Sequence, residues 1–221
     1  MPLTAAQLIQ LSTAIARYAF PRAYFDYTAN APVTGLTMPQ VEARIRNDLL
    51  AGTVSQTKDG LSNVLYWGFA QMGGLAPIRV ARFRSQVSQQ QLQAASHLLR
   101  ATPRPALYPF ARLGLPQFSG VSFVSKVRMF LDPTGSAALD SQIMKIHSLQ
   151  PTTVLAAVRT YKTRIPVSAA NSAAYEAWCD RLDCIRTTYM PTVRVVDIER
   201  GLFHLIQAGH AYSAADLLAD A

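Results

Sequence analysis

Lysine is nearly missing from this basic chain. Seventeen of its 21 basic residues are arginine, and the only lysines are Lys58, Lys126, Lys145 and Lys162. Arginine stays charged in proteins and cannot attack carbon, whereas lysine can once burial or a neighbouring cation favours its neutral form. Lys126, flanked by Val124, Val127 and Phe130, is therefore a candidate nucleophile. The competing reading is a lysine that snorkels from a half-buried helix. Cysteine is as scarce. Two residues, Cys179 and Cys184, cannot supply a four-thiolate iron–sulfur cluster or a four-cysteine zinc site, and burial on one helix is the expected role of both. The four histidines (His97, His147, His204 and His210) show no metal-ligand spacing, so no metal or other cofactor is expected.

Acidic residues are few as well, 13 against 21 basic ones, which leaves a net charge of +8. Such an excess favours a polyanionic partner, because displacing counterions from phosphates drives association. No lysine-rich tail or long like-charge run appears, so the charge is spread over a folded surface. Long apolar runs are also lacking. The uncharged stretch from Val64 to Ile78 is broken by Gln71, Gly73, Gly74 and Pro77 and is too short to span a bilayer. No basic region precedes the uncharged first sixteen residues, so the start does not read as a secretory leader, and a cytoplasmic location is expected.

What is present is helical spacing. Leu8, Leu11, Ile15 and Tyr18 share one face of a helix that Thr4 can cap. Pro39 suits the first turn of a helix to about Leu50, and Asp59 or Ser62 opens an apolar helix ending at Gly73-Gly74. A short basic helix follows Pro77; its Arg79 and Arg82 share a face and Arg84 points elsewhere. Ser88 and Gln91 form a capping box for the next helix, and a short one runs from Pro105 to Leu113. After an Asp132-Pro133-Thr134-Gly135 turn, Asp140 is expected to start a helix, followed by helices over about 152–163, 169–186 and 192–208 and a short C-terminal one. Residues 21–38 read as a loop, and no strand pattern survives beyond a few residues.

The segment LPQFSGVSFVSKVRMF, followed by AALDSQIMKI, resembles the core of the helix–hairpin–helix DNA glycosylase superfamily. Leu115-Pro116 matches the entry to its hairpin, Ser125-Lys126-Val127 the opening of the next helix, and Ala138-Leu139-Asp140 its aspartate turn. The motif covers residues 113–146, within a looser likeness from about Leu61 to Phe203, and the nearest look is to compact prokaryotic 8-oxoguanine DNA glycosylases. The hairpin departs from the family pattern: either Gly120-Val121-Ser122 is the glycine match, or Ser122 and Val124 occupy the glycine positions.

The resemblance implies an all-α fold of two lobes with a DNA- and base-binding cleft between them. One lobe would hold about 1–58 plus 151–221, and the other about 59–150. It implies a monomer that acts on double-stranded DNA containing a modified base, flips that base out and excises it. Lys126 would be the Schiff-base nucleophile and Asp140 the catalytic carboxylate, with or without β-lyase activity. A carboxylate at a helix start stays ionised readily, and the same dipole disfavours a lysine cation there. The alternative role of Asp140 is plain N-capping. Gly120, Val121 and Ser122 would offer N–H groups to a phosphate, with a hydroxyl from Ser122 or Ser125. Gln71 and Met72 stand where the family places its wedge; the other reading has Met72 in the core and Gln71 capping a helix. Among the aromatics Tyr24, Phe25, Tyr27, Trp67 and Phe69, the base-pocket candidates are Tyr27, Trp67 and Phe69, joined by Phe203, which resembles the family's stacking aromatic. The substrate implied is 8-oxoguanine or a bulky modified cytosine of phage DNA, such as glucosylated hydroxymethylcytosine, in DNA repair or antiviral defence. A non-catalytic helical DNA-binding module is the rival reading, and an unrelated helical interaction protein a third.

Overall fold

Several helix starts in this chain are set by side chains that accept the first free backbone N–H groups. Thr4 with Gln7, Thr37 with Gln40 and Ser88 with Gln91 each form a reciprocal capping box. The computed structural model describes residues 2–162 and 164–221. Among them the chain is predominantly helical: α1 (Ala5–Arg17), α2 (Met38–Leu50), α3 (Val54–Gly68), α4 (Leu75–Gln86), α5 (Gln89–Ala101), α6 (Leu107–Ala111), α7 (Val121–Leu131), α8 (Lys145–Leu149), α9 (Ala169–Tyr189), α10 (Val195–Gln207) and α11 (Ala211–Asp220). Two short strands, β1 (Tyr24–Asp26) and β2 (Ala31–Val33), form an antiparallel hairpin in the region read as loop. Among the described residues no helix is long and apolar enough to cross a membrane.

The chain divides into two compact units, Phe20–Asp132 and a second made of the N-terminal stretch to Ala19 with Pro133–Ala221. The division therefore falls at 19/20 and 132/133, and not near 58 and 150. The reason lies in burial on either side. Helix α2 sinks Val41, Ile45 and Leu49 against α3 and α7. Residues 133–139 are instead bound to α9 and α10.

In the Phe20–Asp132 unit α3 is the central element, packed on α2, α4, α5 and α7. It buries Leu61, Val64, Leu65 and Trp67. The hairpin is fixed to it by Asn63, whose Oδ1 accepts the Phe25 N–H (2.8 Å) and whose Nδ2 donates to the Phe25 carbonyl (3.1 Å). That pairing satisfies a backbone with no sheet neighbour on that side. Arg46 Nε donates to the Leu131 carbonyl (2.9 Å) and so caps the end of α7.

In the other unit α1 lies along α10, where a methyl on Gly201 would stand 2.8 Å from both Leu11 and Ile15 side chains. The buried Tyr175 hydroxyl donates to the Ala137 carbonyl (2.8 Å), and Trp178 Nε1 to the Ala138 carbonyl (3.1 Å). The Val195 and Val196 N–H groups bond the carbonyls of Thr134 and Pro133. These four contacts hold the expected turn, here over 133–135, and the segment 136–139 that follows it. Two expected helices are corrected here. The stretch 152–163 carries only a 3-10 turn at Val154–Ala157, because Asn171 binds the backbone of Arg159 and Pro166 instead; Thr163 lies outside the described residues. Asp140 opens a turn over 141–144, and α8 begins only at Lys145.

Candidate functional site

The segment that precedes α7, residues 112–120, carries turns at 112–113 and 116–117. Buried Leu115 and Phe118 anchor it, and Gln91 Nε2 donates to the carbonyls of Leu113 (3.2 Å) and Gly114 (2.8 Å). Gln117 has φ +70°, a left-handed conformation that glycine adopts at no steric cost. Its Oε1 accepts from Arg79 Nη1 (3.2 Å), and the Arg79 guanidinium also lies 5.7 Å from the Phe69 ring centre. Arg79 thus ties α4 to the segment before α7, a long-range contact that the sequence does not report.

Helix α7 follows Gly120, which makes no side-chain cap, so the N–H groups of Val121 and Ser122 lie in a first turn that no side chain caps. Ser125 is fully buried and its hydroxyl donates to the Ser122 carbonyl (3.2 Å). The Val121 side chain is also buried, which leaves that residue its backbone alone.

Lys126 does not open α7 but stands in its second turn, which removes the direct argument from the helix end. Side chains on a helix lean toward its N-terminus, however, and this one does. Nζ donates to the Ser122 carbonyl (3.3 Å) and hydroxyl (3.2 Å) and lies 5.5 Å from the Phe123 ring centre. The residue is 5% exposed, which rules out a snorkelling chain with its head in water. Its stem is admitted by Gly68 at the end of α3. A methyl there would lie 2.6 Å from Phe123 Cε1 and 3.4 Å from Lys126 Cδ. Nothing in the local sequence marks Gly68, because its partner lies more than fifty residues away.

Phe69 stacks on Phe123, ring centres 4.6 Å apart. Residues 69–74 then turn sharply, with Gly73 and Gly74 both at positive φ. Gln71 is exposed and Met72 is 57% exposed, so Met72 is no core residue. The base-pocket candidates have different surroundings. Trp67 is core, 3% exposed and packed on Phe20 (4.5 Å) and Phe130 (5.2 Å). Tyr27 stands on the β1–β2 side of its unit, under the Arg84 guanidinium. Phe203 belongs to the other unit, edge-on to Tyr18 at 6.3 Å.

Asp140, half-buried, is positioned by the segment before it. Its Oδ1 accepts the N–H groups of Gln142 (2.9 Å) and Ile143 (3.3 Å), so it caps a turn in place of a helix. Its charge is felt by the Tyr18 phenol. Burial above all pushes that phenol well above its ordinary range, Glu199 and Asp140 add to the rise, and Arg200 opposes it. Arg200 lies 5.4 Å from the Tyr18 ring centre, and both Glu199 and Arg200 are buried. Tyr18 is thus flanked by Phe203 and Arg200, with buried Glu199 next to Arg200 on α10, and the sequence did not single out Tyr18 or Arg200 as site residues. Asp197, in the first turn of α10, binds Arg194 through both carboxylate oxygens (2.8 and 2.9 Å).

Cys179 is buried as expected, but Cys184, on the same helix, is exposed. Among the described residues no group of three His, Cys, Asp or Glu could hold a metal ion. Comparison with protein-family models, curated proteins and solved structures gives no match to this chain.

Proposed function

We propose that this chain is a DNA glycosylase of the helix–hairpin–helix kind, its two units standing for the two lobes of that architecture. The observation that carries the reading is Lys126: a buried amine held over the first turn of α7, next to a segment whose turn at 116–117 takes a left-handed residue. The neutral amine attacks C1′ of the extruded nucleotide. The C1′–N bond breaks and its electrons leave with the base, which takes up a proton. Opening of the sugar ring gives an imine that water hydrolyses or that β-elimination resolves. Asp140, already holding two N–H groups, offsets the positive charge that develops on the sugar. Gly120, Val121 and Ser122 receive a phosphate, and the Gln71-Met72 corner fills the gap left by the base. The substrate is 8-oxoguanine or a bulky modified cytosine of phage DNA. The test is digestion of oxidised genomic DNA and of glucosylated phage DNA, with mass spectrometry of whatever base is released; release of none contradicts the reading.

One observation favours the rival, a non-catalytic DNA-binding module. The Lys126 amine is engaged by Ser122 in a manner that suits a structural lysine. That module binds duplex with steep salt dependence and releases no base.

A further inference from the structure

The Phe20–Asp132 unit carries an open cavity that the proposed chemistry does not use. It holds about 260 Å³ and is lined by Phe25, Tyr27 and Asn30 from the β1–β2 region, Tyr66 from α3, and Val80 and Arg84 from α4. We propose that it is a second ligand site of this chain, for one unstacked nucleobase of a single-stranded or locally opened nucleic acid. The proposal rests on the nucleic-acid part of the reading above and not on the Lys126 chemistry.

The walls are aromatic and do not fill their own cavity. Phe25 lies 4.9 Å from Tyr27 and 5.6 Å from Tyr66, centre to centre. The Arg84 guanidinium covers the Tyr27 ring at 4.1 Å. Its Nη1 is already committed to Asp59 (2.6 Å) and the Ser62 hydroxyl (3.1 Å), which fixes its direction. The hairpin side is equally fixed. Asn63 holds both backbone groups of Phe25, and Asp26 Oδ1 accepts the N–H groups of Thr28 and Ala29 at 2.9 Å each. A site built this way loses little freedom on binding.

Size and chemistry then select the occupant. The cavity is below the usual range for drug-sized ligands and accepts one ring system. Stacking on aromatic faces suits every base, because each has a π-face. Asn30 presents an amide donor and acceptor, and Arg84 further N–H donors, the groups that read base edges. Among the described residues lining the cavity none is a carboxylate, which disfavours a sugar with its many hydroxyl donors. Tyr66 and Val80 flank the 69–74 corner in sequence, so one continuous stretch carries both the proposed wedge and this pocket.

The experiment compares binding of a short fluorescent oligothymidylate with that of the same phosphodiester chain built from abasic residues. The parent is expected to bind the abasic chain about tenfold more weakly. Tyr66→Leu keeps the wall apolar without a π-face, and Asn30→Gly removes the amide while allowing the positive φ of 52°. Both variants are expected to weaken the oligothymidylate and leave the abasic chain unchanged. Equal affinity of the parent for the two chains overturns the pocket, and so does equal loss on both chains in the variants. Failure to bind either chain overturns it together with the nucleic-acid reading. Covalent trapping through Lys126, measured separately, tells failure of the pocket from failure of the enzyme.

Discussion

Asp140 and Gly68 show how much a single position can settle. Asp140 accepts two backbone N–H groups through one oxygen. Asparagine in its place keeps an oxygen for both bonds and removes the charge. Asp140→Asn is therefore expected to leave the melting temperature within a degree or two and to slow excision roughly 10²–10³-fold, the loss typical of one charge-stabilising group. Asp140→Ala also leaves the turn uncapped, at a cost of about 1 kcal/mol. Thermal melts and single-turnover rates on the two variants separate the charge from the cap. Gly68 was not legible in the sequence because its role is a distance. An alanine methyl meets the Phe123 ring at 2.6 Å, and that ring packs on Phe69 at 4.6 Å and edge-on to Phe118 at 6.4 Å, so it must shift against both. Gly68→Ala is expected to cost about 1–3 kcal/mol by overpacking and to reduce excision by shifting the Lys126 stem. Unchanged stability with unchanged rate would show that α3 and α7 part more easily than this packing allows.

At the scale of elements, locally coded features were legible and long-range ones were not. The caps at Thr4 and Ser88 lie within three residues of their partners, and both helices start where that chemistry places them. The β1–β2 hairpin was invisible because Asn63, far along the chain, satisfies its backbone. Asn171, from the start of α9, likewise binds the Arg159 and Pro166 carbonyls, a side-chain contact that periodicity over 152–163 does not report. The Ser125-Lys126-Val127 pattern was read as a helix opening, whereas α7 begins at Val121 and Lys126 stands in its second turn. The 69–74 corner yields a prediction that its exposure sharpens. With 57% of Met72 in solvent, Met72→Ala should leave the melting temperature unchanged. As a wedge it should slow excision from paired duplex more than from a mismatch, where unstacking costs less. Equal loss on both substrates removes the wedge role. The start of α10 gives a pH signature. Burial works to raise the Asp197 carboxyl, but the hydrogen bonds and charge of Arg194, with Arg200, outweigh it and hold the group below its ordinary 3.8. A depressed folded pKa means that the contribution to stability is whole above that value and is lost as pH falls through the lower one. Asp48, raised mainly by burial, works in the opposite sense. The comparison is therefore between parent and Asp197→Asn: the stability gap should be constant from neutral pH to about pH 5 and close below pH 4.

At the scale of the whole molecule, composition indicated a basic, helical chain without metal clusters of cysteine, and the fold is predominantly helical. The division into units escaped the sequence. Its boundaries are set by which core α2 and residues 133–139 join, and periodicity does not report that. Lys126 stands in one unit and Asp140 in the other, so their service in one reaction is a claim about chemistry that only chemistry can test. The direct measurement is borohydride reduction of the protein with duplex DNA carrying the base found to be released, followed by peptide mapping of the adduct. The account predicts a covalent protein–DNA species with the sugar on Lys126, absent in Lys126→Ala while that variant still binds duplex. Base release with no trapped species, or an adduct mapped to Lys58, Lys145 or Lys162, would contradict it.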